Sequence, residues 1–209
     1  MALSATTKLQ AVNIMLGTIG EAPTANITDS TLPYEVSTAI NVLDEVVKEM
    51  QQDAYVFNYE EDVSLAVNSS NKIPVTANYL RIESTSTNVE YVIRDVGGSP
   101  FLYDMVNKTD TFSGDLSVNV IYALDFEDLP EAAKRYSNIR AARLFADRYV
   151  GSKDIRAFSE RDELEAKAKL MNYEAGVDKV NMIYDNPETS SILNRGGTGR
   201  RTGGGSRWL

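Results

Sequence analysis

Helical periodicity at both ends of the chain and alternation in its middle predict an α+β protein. The expected architecture is an antiparallel four-helix body with a mostly antiparallel β domain inserted between its second and third helices, plus an extended C-terminal tail. Three observations carry this. Apolar residues recur every three or four positions before residue 54 and again after Pro130. They recur at every second position in between. The stretch 195–209 holds six of the 13 glycines and four arginines but no acid, which is too little apolar surface to build a core. The divisions that follow are 1–54 and 125–180 for the two halves of the helical body, 55–124 for the β domain and 181–209 for the tail.

Leu9, Val12, Leu16 and Ile19 fall on one helical face. Ser4, Thr6 or Thr7 caps its start and Gly20 closes its end. A loop runs from Pro23 to Pro33. The next helix is the most regular: Val36, Ile40, Leu43, Val47, Met50 and Ala54 alternate spacings of four and three, so all lie on one stripe. Over residues 34–54 it would be about 30 Å long. Such a stripe is ordinarily intramolecular core, and only sometimes a seam between subunits.

After residue 54 the period becomes two. Val63, Leu65 and Val67 alternate, then Leu80 and Ile82, then Tyr91 and Ile93. Leu116, Val118, Val120 and Tyr122 give the clearest strand. Gly97-Gly98-Ser99-Pro100 and Ser113-Gly114-Asp115 read as turns. Helical spacing returns after Pro130, a residue suited to a first helical turn. Ala132, Tyr136, Ile139, Arg143, Ala146 and Val150 share a face, and Gly151 ends it. Ser152 or Ser159 starts a last helix carrying Phe158, Leu164, Ala168 and Met171, with Ser159 and Asp162 as a capping pair. Periodicity fades from Asn181.

Composition narrows the chemistry. The chain of 209 residues has no cysteine and no histidine, which removes disulfides, thiolate and histidine metal sites and every histidine-based triad. No signal peptide or membrane span is visible, so a soluble protein made in a cytoplasm is expected. Two acidic clusters stand out: Glu60, Glu61 and Asp62, and then Asp125, Glu127 and Asp128 with Glu131 one turn on. Paired carboxylates could cleave glycosides or hold a hard cation. The stronger reading is a solvated strand start and a helix N-terminus, where acids oppose the dipole. Phosphate-cradling, dinucleotide and calcium-loop spacings are not found. No catalytic residue, metal site or cofactor is therefore predicted.

Charge is unevenly distributed. The net charge is −9, and the four arginines of 195–209 leave −13 for residues 1–194. The pI near 4.6 argues against tight nucleic-acid binding by the body. Arg195, Arg200, Arg201, Arg207, Trp208 and Leu209 are the candidate partner-binding residues: a basic string ending in an apolar anchor. Along the third helix, Arg140, Arg143 and Arg148 are candidates for a subunit interface. Arg143 sits on or beside the apolar stripe, where the alternative is an intrachain pair with an acid.

Four stretches resemble the tail tubular protein A family, the head-to-tail adaptors of short-tailed phages. They are Gln10-Ala11-Val12-Asn13 continuing to Ile19-Gly20-Glu21-Ala22-Pro23; Leu43-Asp44 with Glu49, Gln51, Phe57-Asn58 and Glu60; Tyr103-Asp104 with Lys108-Thr109-Asp110 and Phe112; and Leu129-Pro130-Glu131 with Ala141-Ala142-Arg143, Phe145 and Arg148. Their order and spacing match over about residues 1–175. The resemblance implies a structural virion protein of the tail. It implies a ring, commonly of twelve copies, that joins the portal to the tail nozzle, supports tail fibres and lets DNA pass without specific binding. Two other readings stay open: a carboxylate-based polysaccharide hydrolase, and a nucleic-acid-binding protein acting through its basic tail.

Overall fold

Among the described residues two helices precede five strands and two follow them. The computed structural model describes residues 5–86, 88–149, 151 and 153–177, and for Val96 and residues 153–159 the backbone alone. Residues up to Glu174 form one compact unit; of the second, Ala175–Leu209, only the end of the last helix is described. The predicted tail, 181–209, lies outside the described residues.

Helix α1 (Lys8–Thr18) starts at Thr7, whose hydroxyl accepts from Gln10 N while the Gln10 side chain accepts from Thr7 N. This reciprocal box satisfies two otherwise orphaned amides. Gly20, at φ 82, follows its end. Helix α2 (Tyr34–Gln51) begins after Pro33. It stops at Gln51 and not at Ala54, because Ala54 adopts φ 58 and cannot continue a right-handed helix. Its buried face is wider than the predicted stripe. Ala39, Val42 and Val46 join Val36, Leu43, Val47 and Met50, while Ile40 is half-buried. Contacts with both α1 and the helix after the strands explain the width.

Strands β1 (Tyr59–Leu65), β5 (Leu116–Tyr122) and β2 (Tyr79–Ser84) form an antiparallel sheet with β5 in the centre. Val118 and Val120 of β5 are fully buried there. Strands β3 (Tyr91–Val96) and β4 (Ser99–Asp104) form a separate hairpin. Its two-residue loop is Gly97-Gly98, at φ 66 and 83, the pair of positive angles that the commonest tight hairpin turn requires. Ser99 and Pro100, read as turn residues, belong to β4.

A short 3-10 turn at Phe126–Asp128 leads to helix α3 (Glu131–Tyr149), which begins directly after Pro130. Gly151, at φ 67, follows it; the Val150 side chain lies outside the described residues. Helix α4 (Lys153–Val177) runs through Ser159, so Ser159 and Asp162 do not cap its start. Its predicted face is also wrong. Leu164 and Met171 are 70% and 47% exposed and Ala168 is exposed, whereas Ala166 and Leu170 are buried. The Phe158 side chain lies outside the described residues. A helix with alanines on several faces offers little to fix its rotation from spacing alone.

Among the described residues most of the buried apolar side chains fall into two clusters. One joins α1, α2, α3 and α4 through residues such as Met15, Leu43, Phe145 and Leu170. The other joins the strands through Ile82, Leu102, Val118 and Val120, with Ile73 and Val75 from the loop between β1 and β2. Two buried amides tie the chain segments that run between them. Asn58 donates to Gln51 O and Tyr122 O, both at 2.8 Å, and its Oδ1 accepts from Tyr55 N at 2.9 Å. The Gln51 side chain accepts from Leu124 N at 2.8 Å and donates to Leu124 O at 2.9 Å. Thus the exit from α2 and the exit from β5 are stitched side by side. Tyr55 stacks on Phe57 beside this clamp, and burial, then the Asp53 carboxylate, push its hydroxyl up to about 12.

Candidate functional site

Two of the carboxylates that might have suggested catalysis, Glu127 and Glu131, hold backbone. Glu127 accepts from Lys8 N at 2.9 Å, and Glu131 accepts from both the amide and the hydroxyl of Thr6. Both acids therefore sit at the N-terminus of α1, where unpaired amides and the helix dipole favour negative charge. The Thr6 hydroxyl, then its amide, hold the Glu131 carboxyl below its usual range. Lys8 also pairs with Asp44, at 2.6 Å.

Glu60, Glu61 and Asp62 lie on β1, an edge strand. The pairing with β5 shifts between Glu60 and Val63, and Asp62 there takes φ 56. Its amide donates to Asn119 Oδ1 at 3.2 Å, and its carboxylate accepts from Ser117 Oγ at 3.3 Å. A bulge bearing acids is a common way to keep an edge strand from pairing with another chain. Burial, then a hydrogen bond with Glu60, raise the Tyr122 hydroxyl, which meets Tyr79 edge-on. Among the described residues no cluster of three or more acids has the arrangement to hold a metal ion.

The arginines of α3 are engaged within the chain. Arg143 Nε lies 2.5 Å from Glu163 and its Nη1 3.5 Å from Asp147. Arg140 meets Glu49 at 2.9 Å and Glu163 at 3.6 Å. Arg148 grips Glu45 through two bonds of 2.8 and 3.0 Å. These pairs connect α3 to α4 and to α2. The forked Arg148–Glu45 contact lowers the Glu45 carboxyl and raises the Arg148 guanidinium. Arg195, Arg200, Arg201, Arg207, Trp208 and Leu209 lie outside the described residues.

Two surface features escaped the sequence reading. The first is an open, largely apolar groove of about 210 Å³ on the helices. It is lined by Ile14 and Thr18 of α1, by Ile139, Ala142 and Ala146 of α3 with Arg143, and by Asp162. Ile14 is 54% exposed. The second is the turn after β4, where Met105 and Val106 are 42% and 56% exposed. Beneath them Asp104 is buried, and its Oδ1 accepts from Val106 N and Asn107 N, each at 2.8 Å. Those bonds to Asn107 and Val106 hold the Asp104 carboxyl low. The Asp104-x-x-x-Lys108-Thr109 stretch entered the sequence reading only through the family resemblance, which does not say what the turn displays.

These carboxylates, arginines and amides serve the framework of the fold. A family model described as tail tubular protein matches residues 9–180, and the chain belongs to that family. It is similar to tail tubular protein A of Klebsiella phage KP34, 25% identical over 158 residues that make up 75% of this chain and 81% of that protein. It is thus a structural component of the phage tail, a virion protein that assembles with other virion proteins. Among the described residues no helix is long and apolar enough to cross a membrane.

Proposed function

We propose that the chain is a head-to-tail adaptor. Copies form a ring, of about twelve by the resemblance, that joins the portal to the tail nozzle, carries tail fibres and leaves a channel for DNA. The observation that carries this reading is the family match over residues 9–180, which takes in helices and strands alike. The separate apolar clusters and the amide clamp support a β domain, 55–124, inserted between two halves of a four-helix body, 1–54 and 125–180. Such a body suits a part that must keep its shape while its surfaces bind neighbours.

The channel wall is acidic or neutral in this reading. A basic wall would hold phosphates by releasing their counterions. The −13 of residues 1–194 supports it. Electron microscopy of the protein mixed with the portal of its own phage tests the ring: closed rings on the portal are expected, and free monomers beside bare portals would overturn the reading.

The basic string serves as an anchor. Arg195, Arg200, Arg201 and Arg207 pair with acids of a neighbouring virion protein, and Trp208 with Leu209 fills an apolar pocket there. Truncation after Asn194 is expected to weaken attachment to the portal. Full attachment and normal infectivity of truncated particles would make the string passive.

A further inference from the structure

The turn that displays Met105 and Val106 is built to be rigid. Its backbone amides at 104, 105, 106, 107 and 109 are all bonded: to Thr109 O, to Glu90 O, twice to the Asp104 carboxylate and to Asp104 O. The other Asp104 oxygen accepts from Asn107 Nδ2 at 2.8 Å, and Lys108 completes the turn at φ 55. The Arg94 guanidinium lies over the Tyr103 ring at 3.4 Å and reaches the Met105 sulfur at 3.8 Å. Two apolar side chains are thus held outward on an ordered knob, flanked by the cations Arg94 and Lys108. An exposed apolar pair on a preorganised support loses little freedom when it docks.

The groove on the helices has the complementary character. It is apolar along α1 and α3, and it takes one or two aliphatic side chains. Among the described residues its arginine, Arg143, pairs with Glu163 and Asp147, Arg140 also meets Glu163, and exposed Asp162 lines the groove. An apolar knob flanked by two exposed cations and a largely apolar socket with exposed Asp162 at its edge therefore exist on the same chain, at different places.

We infer that the Met105–Val106 knob of one copy docks in the Ile14–Ile139–Ala146 groove of the next. The occupant is argued from charge: a protein body at −13 repels its own copies except where cations such as Arg94 and Lys108 face acids. The contact joins two different patches, so it repeats head to tail and closes into a ring when the rotation fits. The inference rests on the ring reading above and names its subunit contact.

The absence of native cysteine makes the test direct. Two single-cysteine chains are made, Val106→Cys and Ile14→Cys, and mixed under mild oxidation with and without the portal. A linkage needs the two backbones within about 7 Å, and a cysteine at another exposed site measures what random encounters contribute. A disulfide between positions 106 and 14 is expected, identified by peptide mass, and a chain carrying both substitutions is expected to form a ladder of multimers. Ser113→Cys in place of Val106→Cys is expected to give no linkage to position 14. Val106→Asp should raise the concentration for half-assembly about tenfold or more while leaving the circular dichroism spectrum unchanged. Rings by microscopy without the 14–106 linkage, or with 106–106 and 14–14 linkages instead, would overturn the contact and leave the ring reading standing. The linkage without rings would uphold the contact and overturn the ring. Neither rings nor linkage would overturn both.

Discussion

Replacing Asn58 isolates the clamp between the helices and the strands. The Asn58 side chain is 2% exposed and satisfies three backbone groups, Gln51 O, Tyr122 O and Tyr55 N. In Asn58→Ala all three lose this partner. Gln51 O keeps only a 3.5 Å approach from Ala54 N. A buried group left unpaired costs about 1–3 kcal/mol, so the variant should lose about 3–5 kcal/mol. That is a large share of a typical stability of about 5–15 kcal/mol. At about 2–4 °C per kcal/mol for a chain this size, the melting temperature should fall by roughly 10 °C. Asn58→Asp is the sharper probe, since it keeps the shape and the Oδ1 acceptor. Its second oxygen would face two carbonyl oxygens where the amide donated. Only the protonated acid can donate there, and burial also favours the neutral form, so its folded pKa is raised. A raised folded pKa means that stability is greatest below the unfolded value, about 3.9, and is lost as pH rises through the folded value. Urea unfolding followed by far-ultraviolet circular dichroism between pH 3.5 and 7 measures both. Asn58→Asp should be at least as unstable as Asn58→Ala at pH 7 and should recover toward acid. A loss below about 1 kcal/mol in Asn58→Ala, or no pH dependence in the Asp variant relative to wild type, would refute the clamp.

Three further outcomes are expected. Arg143→Met should destabilise by about 1–3 kcal/mol in urea, because Glu163 and Asp147 lose Arg143, the nearer cation for Glu163, in a largely covered site; Arg143→Lys should recover only part, since an ammonium cannot reproduce the fork. Gly97→Val should cost about 1–2 kcal/mol in thermal unfolding, whereas Gly97→Asn should be nearly neutral, because Gly97 has open space around it and only its positive φ resists a side chain. Glu131→Gln tests the staple at the start of α1. The Glu131 carboxyl lies below the usual 4.5, so its contribution is present above that value and disappears as pH falls through the folded value. The gap between wild type and Glu131→Gln in melting temperature should be constant above about pH 5 and close in acid.

What was legible in the sequence is what periodicity encodes. The stripe of α2, the alternation of β5 and the start of α3 after Pro130 each depend on local spacing, and each lies where spacing put it. The face of α4 was not legible. Its burial is decided by which turn meets the rest of the protein, so alanine and leucine positions such as Ala166 and Leu170 are covered while Leu164 is exposed. The end of α2 was missed by three residues because the helix is stopped by the backbone at Ala54, a residue whose propensity says helix. For the arginines, spacing showed that Arg143 needed a partner but could not say that Glu163, twenty positions on, would supply it. The groove and the knob were invisible, because each depends on which side chains remain uncovered after the elements pack.

The stretches that carry the family resemblance explain why it reports architecture more than binding. Gln51 and Asn58 form the clamp. Asp104 and Thr109 close the turn after β4. Glu131 staples the start of α1, and Arg143 and Arg148 cross-link α3 to its neighbours. Each is a polar residue whose partner lies elsewhere in the same chain, so each constrains the fold at a point where hydrophobic packing alone would permit several geometries. The exposed residues of the knob and the groove, Val106, Ile14 and Asp162, are not among the residues that carry the resemblance. A relative at 25% identity can therefore share this scaffold while its surfaces fit different neighbours. It follows that a substitution in the clamp should disturb stability before assembly. One in the knob should disturb assembly and leave the fold intact, and the two measurements together separate a framework residue from a docking residue.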